Sequence, residues 1–81
     1  MNSEKPSLSN RQVASLETNF VYHKPTEEQA EKYTLLRQRA KELAELIYSI
    51  SPESREQSLA ITKLEECVMW ANAGIARNIP A

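Results

Sequence analysis

The fold of this chain is decided by residues 26–78, whose sequence is TEEQAEKYTLLRQRAKELAELIYSISPESREQSLAITKLEECVMWANAGIARN. Apolar residues recur in two series at alternating steps of three and four, and residues 49–54 separate the series. The first series is Tyr33, Leu36, Ala40, Leu43, Ile47 and Ile50, and the second is Ile61, Leu64, Val68, Ala71 and Ile75. This alternation is typical of two helices packed side by side. The stretch therefore predicts an antiparallel helical hairpin.

Local signals predict where the helices begin and end. Thr26 with Gln29 three residues later forms a capping-box pattern at the start of the first long helix. Pro52 suits the first turn of the second long helix, with Ser51 or a neighbour as its cap, and Pro80 prevents its continuation. We therefore predict an all-α fold: a flexible tail at 1–8, then a single domain at 9–81 with a short helix at about 10–20 and long helices at about 27–50 and 53–78.

The size of the chain predicts self-association. A domain below about 70–80 residues rarely gains more than ~3–5 kcal/mol from one core, and this chain of 81 residues has one Cys and one His. Neither an internal disulfide nor a zinc site can therefore reinforce it. Further apolar residues lie outside the two series and are either covered by other subunits or left as an exposed patch, namely Leu35, Leu46, Tyr48, Leu59, Met69 and Trp70. We expect a homo-oligomer.

Charge and hydropathy exclude several classes of partner. The formal net charge of −1 argues against a protein that coats polymeric nucleic acid, because such proteins are usually strongly basic. No apolar run approaches the ~20 residues of a membrane span, and the first residues are too polar for a signal peptide. The unpaired Cys67 fits a reducing cytoplasm. We expect a cytoplasmic protein with no membrane partner.

Catalytic patterns are missing from the sequence. It has no nucleophile with a base at a readable spacing, no glycine-rich phosphate loop and no cluster of metal ligands. Glu65 and Glu66 are adjacent on a helix and point about 100° apart, so they do not make an acid–base pair. We therefore expect no enzymatic activity, no cofactor and no metal.

Cations and aromatic residues meet at the open end of the predicted hairpin. An antiparallel pair places the start of the first long helix beside the end of the second. The residues brought together there are Tyr22, His23, Lys24, Arg77 and Asn78. Each alone is most simply a solvated surface residue, but together they suit a nucleotide: cations bind phosphate and the aromatic ring stacks on the base.

Two further pairs of residues are candidates for ligand contacts. Arg37 and Arg39 are two apart, so they project to nearly opposite sides of one helix. In a symmetric oligomer each could line a different interface. Trp70 near Asn72 can stack on a base as well as fill a core.

From Phe20 to Asn78 the sequence resembles the hairpin domain shared by the anti-CBASS cyclic-nucleotide sponges and the Thoeris anti-defence sponges of phages. The resemblance is carried by Tyr33 and by FVYHKP at 20–25, RQRAKELA at 37–44, SREQSLAIT at 54–62 and VMWANAGIARN at 68–78. The Thoeris-type proteins carry a β-rich domain before the hairpin, where this chain has about 20 residues. The length of the chain is nearer that of the anti-CBASS type, whereas the sequence of its second long helix is closer to that of the Thoeris type.

The resemblance implies a phage or prophage protein that acts in the bacterial host cytoplasm. It implies a homohexamer that binds an immune signalling nucleotide between subunits and sequesters it uncleaved, which deprives the defence effector of its activator. Tyr22 would stack on the base, and Arg37 and Arg39 would hold phosphates. Further implied ligand contacts are His23, Lys24, Trp70, Asn72 and Arg77. Members of this group can hold more than one ligand class at separate pockets, and the opposite projections of Arg37 and Arg39 are compatible with two kinds of site. Because the chain resembles each type only in part, cyclic dinucleotides, cyclic trinucleotides and cyclic ADP-ribose isomers are all candidates.

A different function also fits the predicted hairpin. Two copies could form a four-helix bundle that binds RNA or a protein partner through an exposed face. RNA binding would weaken steeply with salt, whereas a small-ligand pocket would be much less sensitive.

Overall fold

The computed structural model describes residues 7–78 and contains three α-helices there. They are α1 (Asn10–Phe20), α2 (Glu27–Ile50) and α3 (Arg55–Arg77). This part of the chain has no strand, so the all-α prediction is confirmed. Most of the tail predicted at 1–8 lies outside the described residues. No helix within residues 7–78 is long and apolar enough to cross a membrane.

Side-chain caps begin all three helices. At α2 the Thr26 hydroxyl accepts from the Gln29 N–H at 3.1 Å, and Gln29 Oε1 accepts from the Thr26 N–H at 2.9 Å. The predicted capping box is therefore confirmed. A second box begins α1, where Ser9 is the cap and Gln12 its partner.

The second long helix begins two residues later than the sequence predicted. Ser51 ends α2, and its N–H donates to the Ile47 carbonyl at 2.9 Å. Ser54 caps α3, because its hydroxyl accepts from the Gln57 N–H at 3.1 Å. Pro52 lies in the turn and not in the first turn of the helix. The helix also ends at Arg77, where the Asn78 N–H donates to the Gly74 carbonyl.

The contact between α2 and α3 follows a different stripe on α2 from the predicted one. The half-buried residues of α2 are Tyr33, Leu36, Ala40, Ala44 and Ile47. Leu43 and Ile50, which were predicted to lie in this contact, are 45% and 73% exposed. A straight helix has 3.6 residues per turn, so its contact stripe drifts away from a strict three-four alternation. Ala44 consequently takes the place predicted for Leu43.

Two glutamines join the ends of the hairpin and are the only buried residues of the part that the structure describes. Gln29 is 6% exposed and its Nε2 donates to the Ile75 carbonyl at 3.1 Å, across the open end. Gln57 is 8% exposed and its Nε2 donates to the Ser51 carbonyl at 2.7 Å, across the turn. We call these two contacts the glutamine clasps. They satisfy backbone carbonyls at helix ends that would otherwise lack a partner.

Within residues 7–78 no apolar side chain is buried. The molecule is elongated, with extents of 58, 35 and 18 Å along its principal axes. Large apolar side chains are exposed on all three helices and on the segments beside them. These are Leu8, Val13, Leu16, Phe20, Val21, Tyr22, Leu35, Leu43, Leu46, Tyr48, Ile50, Leu59, Met69 and Trp70. One chain alone therefore leaves many large apolar side chains in contact with water.

Candidate functional site

The open end of the hairpin holds three of the predicted ligand contacts. The clasp from Gln29 to Ile75 brings the start of α2 to the end of α3, so the segment before Thr26 and Arg77 lie at the same end. Tyr22 is 83% exposed, and Lys24 is also exposed. An exposed aromatic ring at the same end as two cations is free to stack on a base while the cations bind phosphate.

His23 has a contact within the chain that the sequence did not reveal. Its Nε2 lies 3.0 Å from the carbonyl oxygen of Glu17, near the end of α1. Because a carbonyl only accepts, this ring nitrogen carries the proton and donates. The bond folds the linker between α1 and α2 back onto α1. His23 thus positions the segment that contains Tyr22 and Lys24.

Arg37 lines two grooves that follow one another along the hairpin. The first, which we call the central groove, has a volume of about 480 Å³. Its lining residues are Arg37, Ala40, Lys41, Ala44, Tyr48, Ile61, Leu64, Glu65 and Val68. The second, which we call the asparagine groove, lies nearer the open end and has a volume of about 380 Å³. It is lined by Tyr33, Arg37, Met69, Asn72, Ala73 and Ala76.

Asn72 has an unsatisfied oxygen in the asparagine groove. Its Oδ1 is buried and lacks a hydrogen-bond partner within the described part of the chain. Such an oxygen costs about 1–3 kcal/mol. A donor from outside this chain, on a ligand or on a second copy, would remove that cost once the half-buried amide turned towards it. Arg37 and Asn72, far apart in the sequence, are thus brought to one groove.

Arg39 and Trp70 do not join either groove. The Arg39 guanidinium is exposed, and its Nε lies 3.9 Å from Glu42 Oε1. Trp70 is exposed on α3. A surface pair of this kind contributes little to stability, so the Arg39 side chain is available to another molecule. Arg37 and Arg39 therefore do face different surroundings, as their spacing predicted.

Sequence reasoning did not identify Lys41 and Tyr48 as groove residues. They follow Arg37 at four and eleven positions along α2, and all three residues line the central groove. That spacing is one face of a helix with 3.6 residues per turn. The signal was therefore present in the sequence. Within residues 7–78, no three His, Cys, Asp or Glu side chains are placed to hold a metal ion.

The fold and the grooves define a class: a small helical hairpin that presents cations, aromatic rings and apolar grooves on its surface. The chain belongs to the Acb2/Tad1 hairpin-domain family, because the model described as "Acb2/Tad1, hairpin domain" matches residues 12–76. This is the family of anti-CBASS and anti-Thoeris sponges, so the resemblance seen in the sequence is confirmed. Comparison with curated proteins and with solved structures gave no match.

Family membership implies a cyclic-nucleotide-binding role in anti-defence. Members of the family are binding proteins of the sponge type rather than enzymes.

Proposed function

We propose that this chain is a phage or prophage sponge that captures a cyclic oligonucleotide or a cyclic ADP-ribose isomer in the bacterial cytoplasm. It holds the ligand uncleaved and so blocks activation of a CBASS or Thoeris effector. The observation that carries the proposal is the family match over residues 12–76, most of the chain. The grooves and the open end also present cations and aromatic rings, which are the side-chain types that bind phosphates and bases.

Each proposed contact has a chemical role. Tyr22 stacks on a base, and Lys24 and Arg77 supply charge for phosphate at the same end. Arg37 binds phosphate from the groove side, and Arg39 does so at a different surface. Asn72 offers an amide beside Arg37, and Trp70 offers a second aromatic plate. His23 orders the linker through its bond to Glu17 and leaves its other ring nitrogen for the ligand.

The exposed surface supports self-association. The chain exposes 7184 Å², whereas a compact monomer of 9.2 kDa exposes roughly 4,900 Å². The excess of roughly 2,300 Å² is nearly three times the ~800 Å² that each partner buries in an ordinary interface. We propose a homohexamer with ligand sites between subunits. This arrangement lets several copies contribute cations to one bound ligand.

The test is isothermal titration of the purified chain with cyclic dinucleotides, cyclic trinucleotides and cyclic ADP-ribose isomers. After titration the protein is denatured by heat and the ligand is recovered for chromatography. Tight binding followed by release of the intact ligand is the expected result, and the ligand that binds most tightly names the signal. Recovery of a cleaved ligand would show an enzyme instead.

Failure to bind any of these ligands would overturn the proposal of a sponge. The alternative would then be a helical-bundle adaptor that binds RNA or a protein. That alternative is then tested with short RNA at several salt concentrations. An RNA affinity that falls steeply with salt is the signature of phosphate contacts along a polymer.

A further inference from the structure

Asn72 differs from the buried amides elsewhere in the hairpin. Gln29 and Gln57 each bond to a backbone carbonyl through Nε2, whereas the buried Oδ1 of Asn72 has no partner within residues 7–78. Asparagine also has a lower helix propensity than leucine or alanine, and α3 continues beyond it to Arg77. An apolar side chain at this position would avoid both costs. Packing within one chain therefore does not account for an asparagine here.

The asparagine groove has an apolar lining around one charged group. Tyr33 and Arg37 are four positions apart on α2, so they lie one turn apart on the same face. Met69 supplies a flexible thioether from α3, and Ala73 and Ala76 are small and leave space beside it. Aromatic and thioether side chains suit the flat faces of a nucleobase, whose polar atoms lie along its edge. The groove therefore fits a flat ring better than a charged group alone.

Arg37 and Asn72 require opposite kinds of ligand atom. The Arg37 guanidinium donates hydrogen bonds only, and it forms no ion pair within residues 7–78. The Asn72 Oδ1 accepts only, so a phosphodiester, which has no donor at neutral pH, cannot satisfy it. A nucleotide supplies both, because its phosphate binds the guanidinium and a donor elsewhere in the molecule reaches the amide. The apolar lining favours a base as that donor, since ribose hydroxyls would lose their water there.

The amide of Asn72 matches one base edge in particular. It holds an acceptor, Oδ1, beside a donor, Nδ2, and adenine carries the complementary N6 donor and N7 acceptor side by side. Guanine carries two acceptors, O6 and N7, on the same edge. The Asn72 side chain is half-buried, so rotation about its Cα–Cβ bond turns both amide atoms towards the groove. Of the two purines, adenine is thus the one that pairs both atoms on this edge.

We propose that Asn72 recognises an adenine base of the captured signal in the asparagine groove. Its Oδ1 accepts from the N6 amine and its Nδ2 donates to N7, while Arg37 binds a neighbouring phosphate. The Tyr33 ring packs against the face of the base. This inference rests on the sponge proposed above and specifies which base one of its grooves selects. Asn72 is therefore a specificity-determining residue in direct contact with the ligand.

A thermodynamic cycle between protein and ligand tests the contact by isothermal titration. The probe is the tightest binder among cyclic di-AMP, cyclic tri-AMP and the cyclic ADP-ribose isomers. It is compared with an analogue in which purine replaces adenine, so that a hydrogen replaces the amine. The full-length parent chain should bind the adenine ligand about tenfold more tightly than the analogue. Asn72→Ala should bind the two within about twofold of each other. Thr62→Ala, at an exposed position of the same helix, is the matched control and should keep the tenfold preference.

The other outcomes separate this inference from the sponge itself. An equal preference for adenine in Asn72→Ala and in the parent would overturn the inference, because the amine would then bond elsewhere. If Asn72→Ala also lowered both affinities by the same factor, the donor would be a ribose hydroxyl. Binding confined to ligands without adenine, such as cyclic di-GMP or cyclic di-UMP, would overturn the inference and leave the sponge intact. Binding to no ligand of the panel would overturn both.

Thermal melting without ligand gives an independent test of the unpaired oxygen. Asn72→Leu keeps nearly the same shape and removes the oxygen, so its melting temperature should rise by about 4–8 °C more than that of Thr62→Leu. Thr62→Leu is the matched control, because threonine and asparagine have similar helix propensities. A lower melting temperature for Asn72→Leu than for the parent would show that the oxygen already has a partner in the free protein, and would overturn the inference. A gain no larger than the control's would show that the oxygen costs nothing, which would remove the reason to assign it to a ligand.

Discussion

At the scale of single residues, the two arginines of α2 illustrate what a spacing reveals. Their separation by two positions showed that they face different surroundings, and the structure agrees. The spacing in the sequence did not reveal that Arg37 shares a groove with Asn72, because that proximity depends on how α3 lies against α2. The open-end residues were easier to place, since any antiparallel hairpin joins those ends. Lys41 and Tyr48 required the helical period to be followed from Arg37.

Removing either arginine should weaken ligand capture without unfolding the chain. A hydrogen bond to a charged group contributes about 1.5–3 kcal/mol, so Arg37→Ala and Arg39→Ala should each reduce affinity by at least about tenfold. Titration with the tightest ligand of the panel measures the loss, and circular dichroism checks the fold. Lys63→Ala is the matched control, because Lys63 is an exposed cation paired only with Glu66. Unchanged affinity in both variants would show that neither Arg37 nor Arg39 contacts the ligand.

At the scale of the helices, capping signals and apolar spacing predicted the order and type of all three elements. The predicted start of α3 was two residues early because Pro52 was assigned to the first turn of the helix, whereas it lies in the turn before it. Only the Ser54 hydroxyl receives the Gln57 N–H. The predicted contact stripe of α2 was wrong at Leu43, because the sequence pattern is compatible with either Leu43 or Ala44 in the contact. A straight helix drifts from the strict three-four alternation, and this drift moves the contact to Ala44.

The clasp at the open end predicts the effect of Gln29→Ala. The substitution removes one bond to the Ile75 carbonyl and one to the Thr26 N–H. Leaving buried polar groups unpaired costs about 1–3 kcal/mol, so the free energy of unfolding should fall by that amount. Denaturant titration measures it. The control is Gln38→Ala at an exposed position of the same helix, which should change stability by less than about 0.5 kcal/mol. Equal stability of the two variants would show that the clasp contributes nothing.

At the scale of the whole molecule, one hairpin does not cover its own apolar surface. Size and composition predicted a homo-oligomer, which stays a prediction, and the structure buries no apolar side chain among residues 7–78. The position of the linker beside α1 could not be predicted from the sequence, because it depends on the contact between His23 and Glu17.

Two leucines should distinguish the helix pair from the assembly. Leu36 is half-buried on α2 and lines neither groove, so Leu36→Ala should destabilise the chain at every protein concentration. Leu43 is exposed in the single chain, so Leu43→Ala should act by weakening the assembly. The expected cost is about 2–5 kcal/mol if the site is fully covered by another copy. Melting temperatures across a hundredfold range of concentration measure the difference. A Leu43→Ala protein as stable as the parent would show that Leu43 stays in water.

The glutamine clasps have a consequence for how the grooves can diversify. Alanines along the helix contact would tolerate a sliding of α3 past α2, but a shift of one turn, about 5.4 Å, would separate both glutamines from their carbonyls. The clasps therefore fix the axial register of the two helices from its ends, without help from the outward-facing side chains. Arg37 and Asn72 stay level with each other whatever surrounds them. Substitutions on the outer faces can then reshape the grooves while the axial alignment of the two helices stays the same.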